Sequence, residues 1–182
     1  NYNLELNNME IGKISQRDQL KEDAKDKRVY IHLDSSALGD TLAWFPFVDE
    51  FRKKHNCKVI CSTFHNEWFE KEYPELEFVK PGTEVFDLYA MYSIGWHYNE
   101  DKTVNLSKIP IEFKQHPLGE TSSSTLGLNY VETKPKLSIP NKGKQIDGKY
   151  VVIAPHASAH AKYWNHKGGW QAIIDYLNGR KH

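Results

Sequence analysis

The stretch VYIHLDSSALGDTLAWFPFVDEFRKK, Val29 to Lys54, decides the fold. Its first six residues are rich in β-branched and aromatic side chains and alternate apolar with polar, which predicts a strand over 29–34. From Thr41 to Lys54, Leu42, Phe45 and Val48 fall on one side, which predicts a helix with a buried stripe. Pro46 has no N–H, so it either kinks that helix or ends a first short turn. Between the two elements lie Ser35, Ser36, Ala37 and Gly39, small residues that let a ligand approach the backbone, and then Asp40. In open parallel sheets the ligand crevice forms at the carboxyl ends of the strands, so a carboxylate in the first βα turn is a candidate for chemistry. The same place also suits a helix cap provided by Asp40 or Ser36.

Outward from this unit the alternation continues. It predicts a strand at 58–62, a helix at 66–72, a short strand at 77–79, a strand near 86–94 and a helix at 118–126 closed by Gly127 in a left-handed C-cap. Strands alternating with amphipathic helices give an α/β class, a Rossmann-like parallel sheet flanked by helices. Residues 1–27 are polar with scattered Leu, Ile and Met and read as an N-terminal arm; 28–134 read as the first domain. Pro135, Pro140, Asn141, Gly143 and Gly148 make 135–148 a linker. Beyond it, Tyr150 to Ala154 reads as a buried strand and Trp170 to Leu177 as a helix. Residues 149–182 are therefore expected to be the first strand–helix unit of a second domain, which looks truncated because one strand and one helix cannot bury a sheet.

A formal net charge of +0, with no Lys/Arg stripe among the aromatics, gives no footprint for nucleic acid. No apolar run approaches the ~20 residues of a membrane span. No signal-peptide pattern opens the chain, so a cytoplasmic location is expected. Cys57 and Cys61 have no His or second Cys pair at zinc spacing and read as buried thiols. His156, His160 and His166 share one loop without a carboxylate partner, so no metal site is assigned. Aromatic residues make up 13% of the chain, with five Trp and ten Tyr, which suits stacking on sugars and bases as well as core packing.

Three blocks carry a family resemblance. SSALGDTLAWFPFVDEFRKKH resembles the opening βα unit of the ADP-heptose-dependent glycosyltransferases and, within them, the bacterial autotransporter heptosyltransferases of GT-B fold. IAPHASAHAKYWNHKGGW, Ile153 to Trp170, is similar to their donor-phosphate loop. HPLGETSSSTLGL, with Glu132 and Lys134-Pro135-Lys136-Leu137, is similar to the helix and linker that close their first domain. The resemblance implies an inverting enzyme that moves heptose from ADP-heptose to Ser or Thr hydroxyls of an autotransporter adhesin. Asp40 matches the catalytic base, and Lys162 and Trp164 match the Lys and Trp of the phosphate loop.

Other residues join these as candidates. Lys162, Ser158, Gly168 and Gly169 offer charge, a hydroxyl and a helix N-terminus to a diphosphate. Trp164 stacks on the donor or anchors the loop. Ser36 and Thr41 flank Asp40, while Trp96 and His97 follow a strand into the same crevice, so these four are candidates for touching sugar or acceptor. Core packing is the other reading of Trp96, and service to the helix that of Thr41. The resemblance also implies an iron-containing oligomer whose metal is held by cysteines in the later half, so no cofactor is assigned to this chain. With the donor half incomplete, the 182-residue chain alone is expected to transfer no sugar. Two further readings stay open: a transferase with another nucleotide sugar or a glycan acceptor, and a non-catalytic nucleotide-sugar or protein-binding module.

Overall fold

A computed structural model describes residues 24–138, 143, 146–157 and 160–179. The described residues divide into two compact units, one within 1–140 and the other within 141–182. The first is built on four strands, β1 (Arg28–Asp34), β2 (Lys58–Ser62), β3 (Glu77–Val79) and β4 (Ala90–Gly95), in the order β3-β2-β1-β4 with every pairing parallel. Side chains alternate across a strand, so Val29, Ile31 and Leu33 of β1 enter the core while Tyr30 and His32 take the other face and stack at 5.8 Å. The register sets Ile31 beside Cys61 and Tyr92. The core face is covered by α1 (Leu38–Trp44) and α2 (Pro46–His55). Phe51 packs edge-on to Tyr92 at 5.2 Å, and Phe45 stacks on Phe69 at 3.8 Å and on Phe78 at 6.1 Å.

The expected helix over 41–54 differs in two ways. It starts at Leu38, and Pro46 divides it without ending it, because Phe45 keeps helical angles (φ −57°, ψ −39°) and its N–H reaches the Thr41 carbonyl at 2.9 Å. A third helix, α3 (Leu118–Thr125), locks the break, with Ser122 Oγ donating to the Trp44 carbonyl at 2.9 Å and Trp44 Nε1 to that of Leu118 at 3.0 Å. It ends in a Schellman motif: Gly127 has φ +65°, the Leu128 N–H donates to Ser123 O at 2.7 Å and the Gly127 N–H to Ser124 O at 3.2 Å.

Three other expectations are corrected. Only Asn66–Trp68 of the helix expected at 66–72 is helical, as a 3₁₀ turn. The Asn66 amide is committed to the loop, accepting from Thr63 N–H and Oγ1 and donating to Val79 O at 2.7 Å. The strand expected from 86 begins at Ala90, since Asp87 has φ +56° and the Phe86 carbonyl turns to Arg28 Nη1 at 2.7 Å. In the second unit, Tyr150 to Ala154 is neither a strand nor buried: Val151 is 65% and Val152 78% exposed. Their β-branched side chains favour an extended chain, but a strand needs a ladder, and among the described residues none pairs with them. That unit keeps α4 (Gly169–Gly179), one residue before and two beyond the expected ends.

Candidate active site

Parallel strands bring the loops after β1, β2 and β4 to one edge of the sheet. The strand order also reverses there. From β1 the chain proceeds outward to β2 and β3, then returns to place β4 on the other flank of β1. Such a switch point is where open α/β sheets hold ligands, and here it falls between Asp34 of β1 and its partner Gly95 of β4. Asp40 enters this crevice from the first turn of α1, and Trp96 enters it directly after β4.

The Asp40 carboxylate does not cap the helix. The N-cap is Ala37, which has no side-chain cap hydrogen bond. Instead Asp40 Oδ2 accepts from Ser35 Oγ at 2.7 Å and from Trp96 Nε1 at 3.0 Å. Ser35 Oγ in turn accepts the Ala37 N–H at 3.1 Å. Trp96 is held by aromatic contacts, tilted against Trp44 at 6.0 Å and edge-on to Phe113 at 5.1 Å. Half-buried rather than lost in the core, Trp96 turns its polar atom to the carboxylate.

Gly95 makes this approach feasible. A Cβ there would lie 2.9 Å from Asp34 Cβ and 3.1 Å from the Asp34 carbonyl oxygen. Gly95→Ala is therefore expected to force β1 and β4 apart where they flank the site, costing about 1–3 kcal/mol as overpacking does. Chemical denaturation of the variant checks it; an unchanged midpoint would show that the strand ends yield freely.

The other candidates sort by position. Ser36 is exposed, and its carbonyl accepts from His65 Nε2 at 3.0 Å, in the loop after β2. Thr41 is fully buried with its hydroxyl 3.4 Å from Ala37 O, so it serves the helix and offers no surface to a ligand in this structure. His97 is half-buried, and its carbonyl accepts from Asn105 N–H at 2.7 Å. His32 carries no sequence signal that would single it out. Burial holds its imidazole below the ordinary value, opposed by nearby Asp34 and reinforced by His97, which gathers three titratable groups at this edge. Burial pushes the Cys57 thiol up to about 11 and raises Cys61 as well, so both are inert thiols at neutral pH.

In the second unit, Lys162 closes a 3₁₀ turn, His160–Lys162, and is exposed. Trp164 lies against the start of α4, so close that a Cβ on Gly169 would meet its ring at 2.6 Å; it also packs on His166 at 5.7 Å and Trp170 at 5.1 Å. Gly168 takes φ +70°, which only glycine adopts freely. The loop is thus anchored on the helix N-terminus by Trp164. Ser158 lies outside the described residues.

No family model matches the chain. By sequence it is 33% identical over 156 residues to the autotransporter heptosyltransferase Aah of Escherichia coli, covering 84% of this chain and 39% of that protein. It is 28% identical over 156 residues to the autotransporter heptosyltransferase TibC of Escherichia coli O78:H11, covering 84% and 37%. A third relative, 27% identical over 158 residues and covered to 37% by 85% of this chain, is described as the inactive autotransporter heptosyltransferase BimC of Burkholderia thailandensis. Two crystal structures of TibC match with TM-scores of 0.72 and 0.71 at 27% identity, over 85% of this chain and 40% of TibC. One is of the bacterial iron-containing dodecameric glycosyltransferase, the other of the heptosyltransferase in complex with ADP-D-beta-D-heptose. The chain spans 37–39% of the length of these relatives. In sequence over 84% of its length, and in the fold that presents Asp40, the chain is a relative of the autotransporter heptosyltransferases.

Proposed function

We propose that the protein carrying this chain is a heptosyltransferase of GT-B architecture that moves heptose from ADP-heptose to Ser or Thr hydroxyls of an autotransporter adhesin. One observation carries the reading: a carboxylate at the switch point of a parallel sheet, with one oxygen tied to the protein and the other without a protein donor among the described residues. In the reaction the acceptor hydroxyl oxygen attacks the anomeric carbon, its proton passes to Asp40, and the bond to the diphosphate breaks with its electron pair leaving on ADP. A single displacement inverts the anomeric centre. Geometry that lines up hydroxyl and carboxylate, and positive charge on the departing diphosphate, lower the barrier.

The donor side of this reading rests on Lys162, on Gly168 and Gly169 at the start of α4, and on Ser158, with Trp164 holding the loop. A homo-oligomer accompanies it, on the precedent of dodecameric TibC, and the reading carries with it a bacterial cytoplasmic setting. TibC is described as iron-containing; among the described residues of this chain, no group of three or more His, Cys, Asp or Glu is placed to hold a metal ion, and no step above runs through iron. No helix among the described residues is long and apolar enough to cross a membrane.

Mass spectrometry of an autotransporter adhesin co-expressed with the full-length protein tests the reading: heptose-sized additions on Ser or Thr are expected, and an unmodified adhesin counts against it. A second reading, a non-catalytic sugar-nucleotide or protein-binding module, is favoured by the relative described as inactive. ADP-heptose binding without transfer would select it.

Lys162 supplies a separate test. Lys162→Ala in the full-length protein is expected to weaken ADP binding by about 1–3 kcal/mol, the usual loss for a charge-assisted phosphate contact. Lys162→Arg is expected to restore only part, because a planar guanidinium replaces a point charge. Calorimetric titration with ADP and with ADP-heptose at fixed salt reads both; an unchanged dissociation constant removes Lys162 from the donor site.

A further inference from the structure

The geometry points to Ser35 and Trp96 as positioning residues that clamp one oxygen of Asp40, Oδ2, and so leave Oδ1 as the oxygen that takes the acceptor proton. This rests on the reading of Asp40 as the base.

Both protein donors reach the same oxygen, at 2.7 and 3.0 Å, and they come from opposite sides of the switch point, one after β1 and one after β4. A carboxylate free to rotate would share donors between its oxygens and present either to a substrate. Here rotation is opposed at both ends. The Ala37 N–H occupies a lone pair of Ser35 Oγ at 3.1 Å and thereby turns the hydroxyl hydrogen toward Asp40. The indole of Trp96 cannot swing away, because Trp44 and Phe113 pack on it. Neutral donors fix the direction of the carboxylate without neutralising it as a Lys or Arg would. Trp96 therefore acts through Asp40, and not as a face for sugar stacking.

Positioning predicts a particular kinetic pattern. In the full-length protein, with ADP-heptose and an adhesin acceptor, Trp96→Phe and Ser35→Ala are each expected to lower kcat by about 10- to 100-fold, since a misplaced base loses near-attack geometry. KM for both substrates is expected to stay within about twofold, because a clamp acting through Asp40 leaves the substrate contacts in place. Ser35→Thr, which keeps the hydroxyl, is expected to recover most of the loss. Ser35→Ala removes one oxygen from a loop, so it keeps the test alive if Trp96→Phe disturbs folding. Asp40→Asn is run beside them. Should Asp40→Asn abolish transfer while Trp96→Phe and Ser35→Ala retain kcat within about twofold, the base stands and the clamp is wrong. Should Asp40→Asn itself remain active, the base reading fails, whatever the other variants do. An effect of Trp96→Phe and Ser35→Ala confined to KM would make both residues substrate contacts and overturn the positioning role.

Discussion

Replacing Asp40 by Asn in the full-length protein is expected to lower turnover by about two to four powers of ten, the usual contribution of a general base. Asn is nearly isosteric and retains an oxygen that can accept from Ser35 Oγ and Trp96 Nε1, so the loop should stay as it is. What it loses is the capacity to take a proton. The melting midpoint and the affinity for ADP should therefore change little while kcat collapses, and this dissociation separates chemistry from architecture. A helix-capping aspartate would behave in the opposite way, losing stability and sparing turnover, but Asp40 is not at the N-cap. Stopped assays with ADP-heptose, scored by release of ADP and by heptose on the acceptor, give the answer. Near-normal turnover in Asp40→Asn removes it as the base.

The place of Asp40 is legible in the sequence because it depends on local signals: an alternating strand, a run of small residues and an amphipathic helix follow one another within 26 residues. Its setting is not. Trp96 lies 56 residues further on, and only the return of β4 to the free flank of β1 makes the two neighbours. Nothing in the composition of 90–97 records which strand β4 will pair with. Local errors have the same origin. The expected start of α1 falls three residues late because Ala37 caps it without a side-chain signal, and the helix expected at 66–72 rests on a pattern that the Asn66 amide overrides. The Tyr150 to Ala154 segment has the composition of a strand, yet pairing is a property of neighbours, not of composition. By contrast, the C-terminus of α3 is legible because Gly127 alone specifies the left-handed cap.

The largest structural effect is expected at Phe45, which joins the two helices that carry and brace the site. Its ring is fully buried, stacked on Phe69 at 3.8 Å and edge-on to Tyr73 at 4.8 Å. Phe45→Ala is expected to cost about 3–5 kcal/mol, from lost transfer free energy plus the cavity left behind. A domain of this size holds only about 5–15 kcal/mol in reserve, so the variant sits near the edge of unfolding. The consequence extends to chemistry. Phe45 closes α1 and opens α2 at a proline break, where the Pro46 nitrogen has no hydrogen to donate and packing must hold the angle between the helices. Loosening that joint lets α1 tilt and draws Asp40 away from Trp96. Phe45→Leu refills most of the volume and should recover roughly half the stability, since it restores apolar contact without the ring stack. Urea denaturation followed by near-ultraviolet circular dichroism, which reads the aromatic cluster directly, measures both variants. If Phe45→Ala shifts the midpoint no more than a surface substitution does, the cluster around Phe45, Phe69, Tyr73 and Phe78 is not what fixes the two helices on the sheet, and the place of Asp40 must be held by the two hydrogen bonds between Trp44 and α3 and by its own bonds to Ser35 and Trp96.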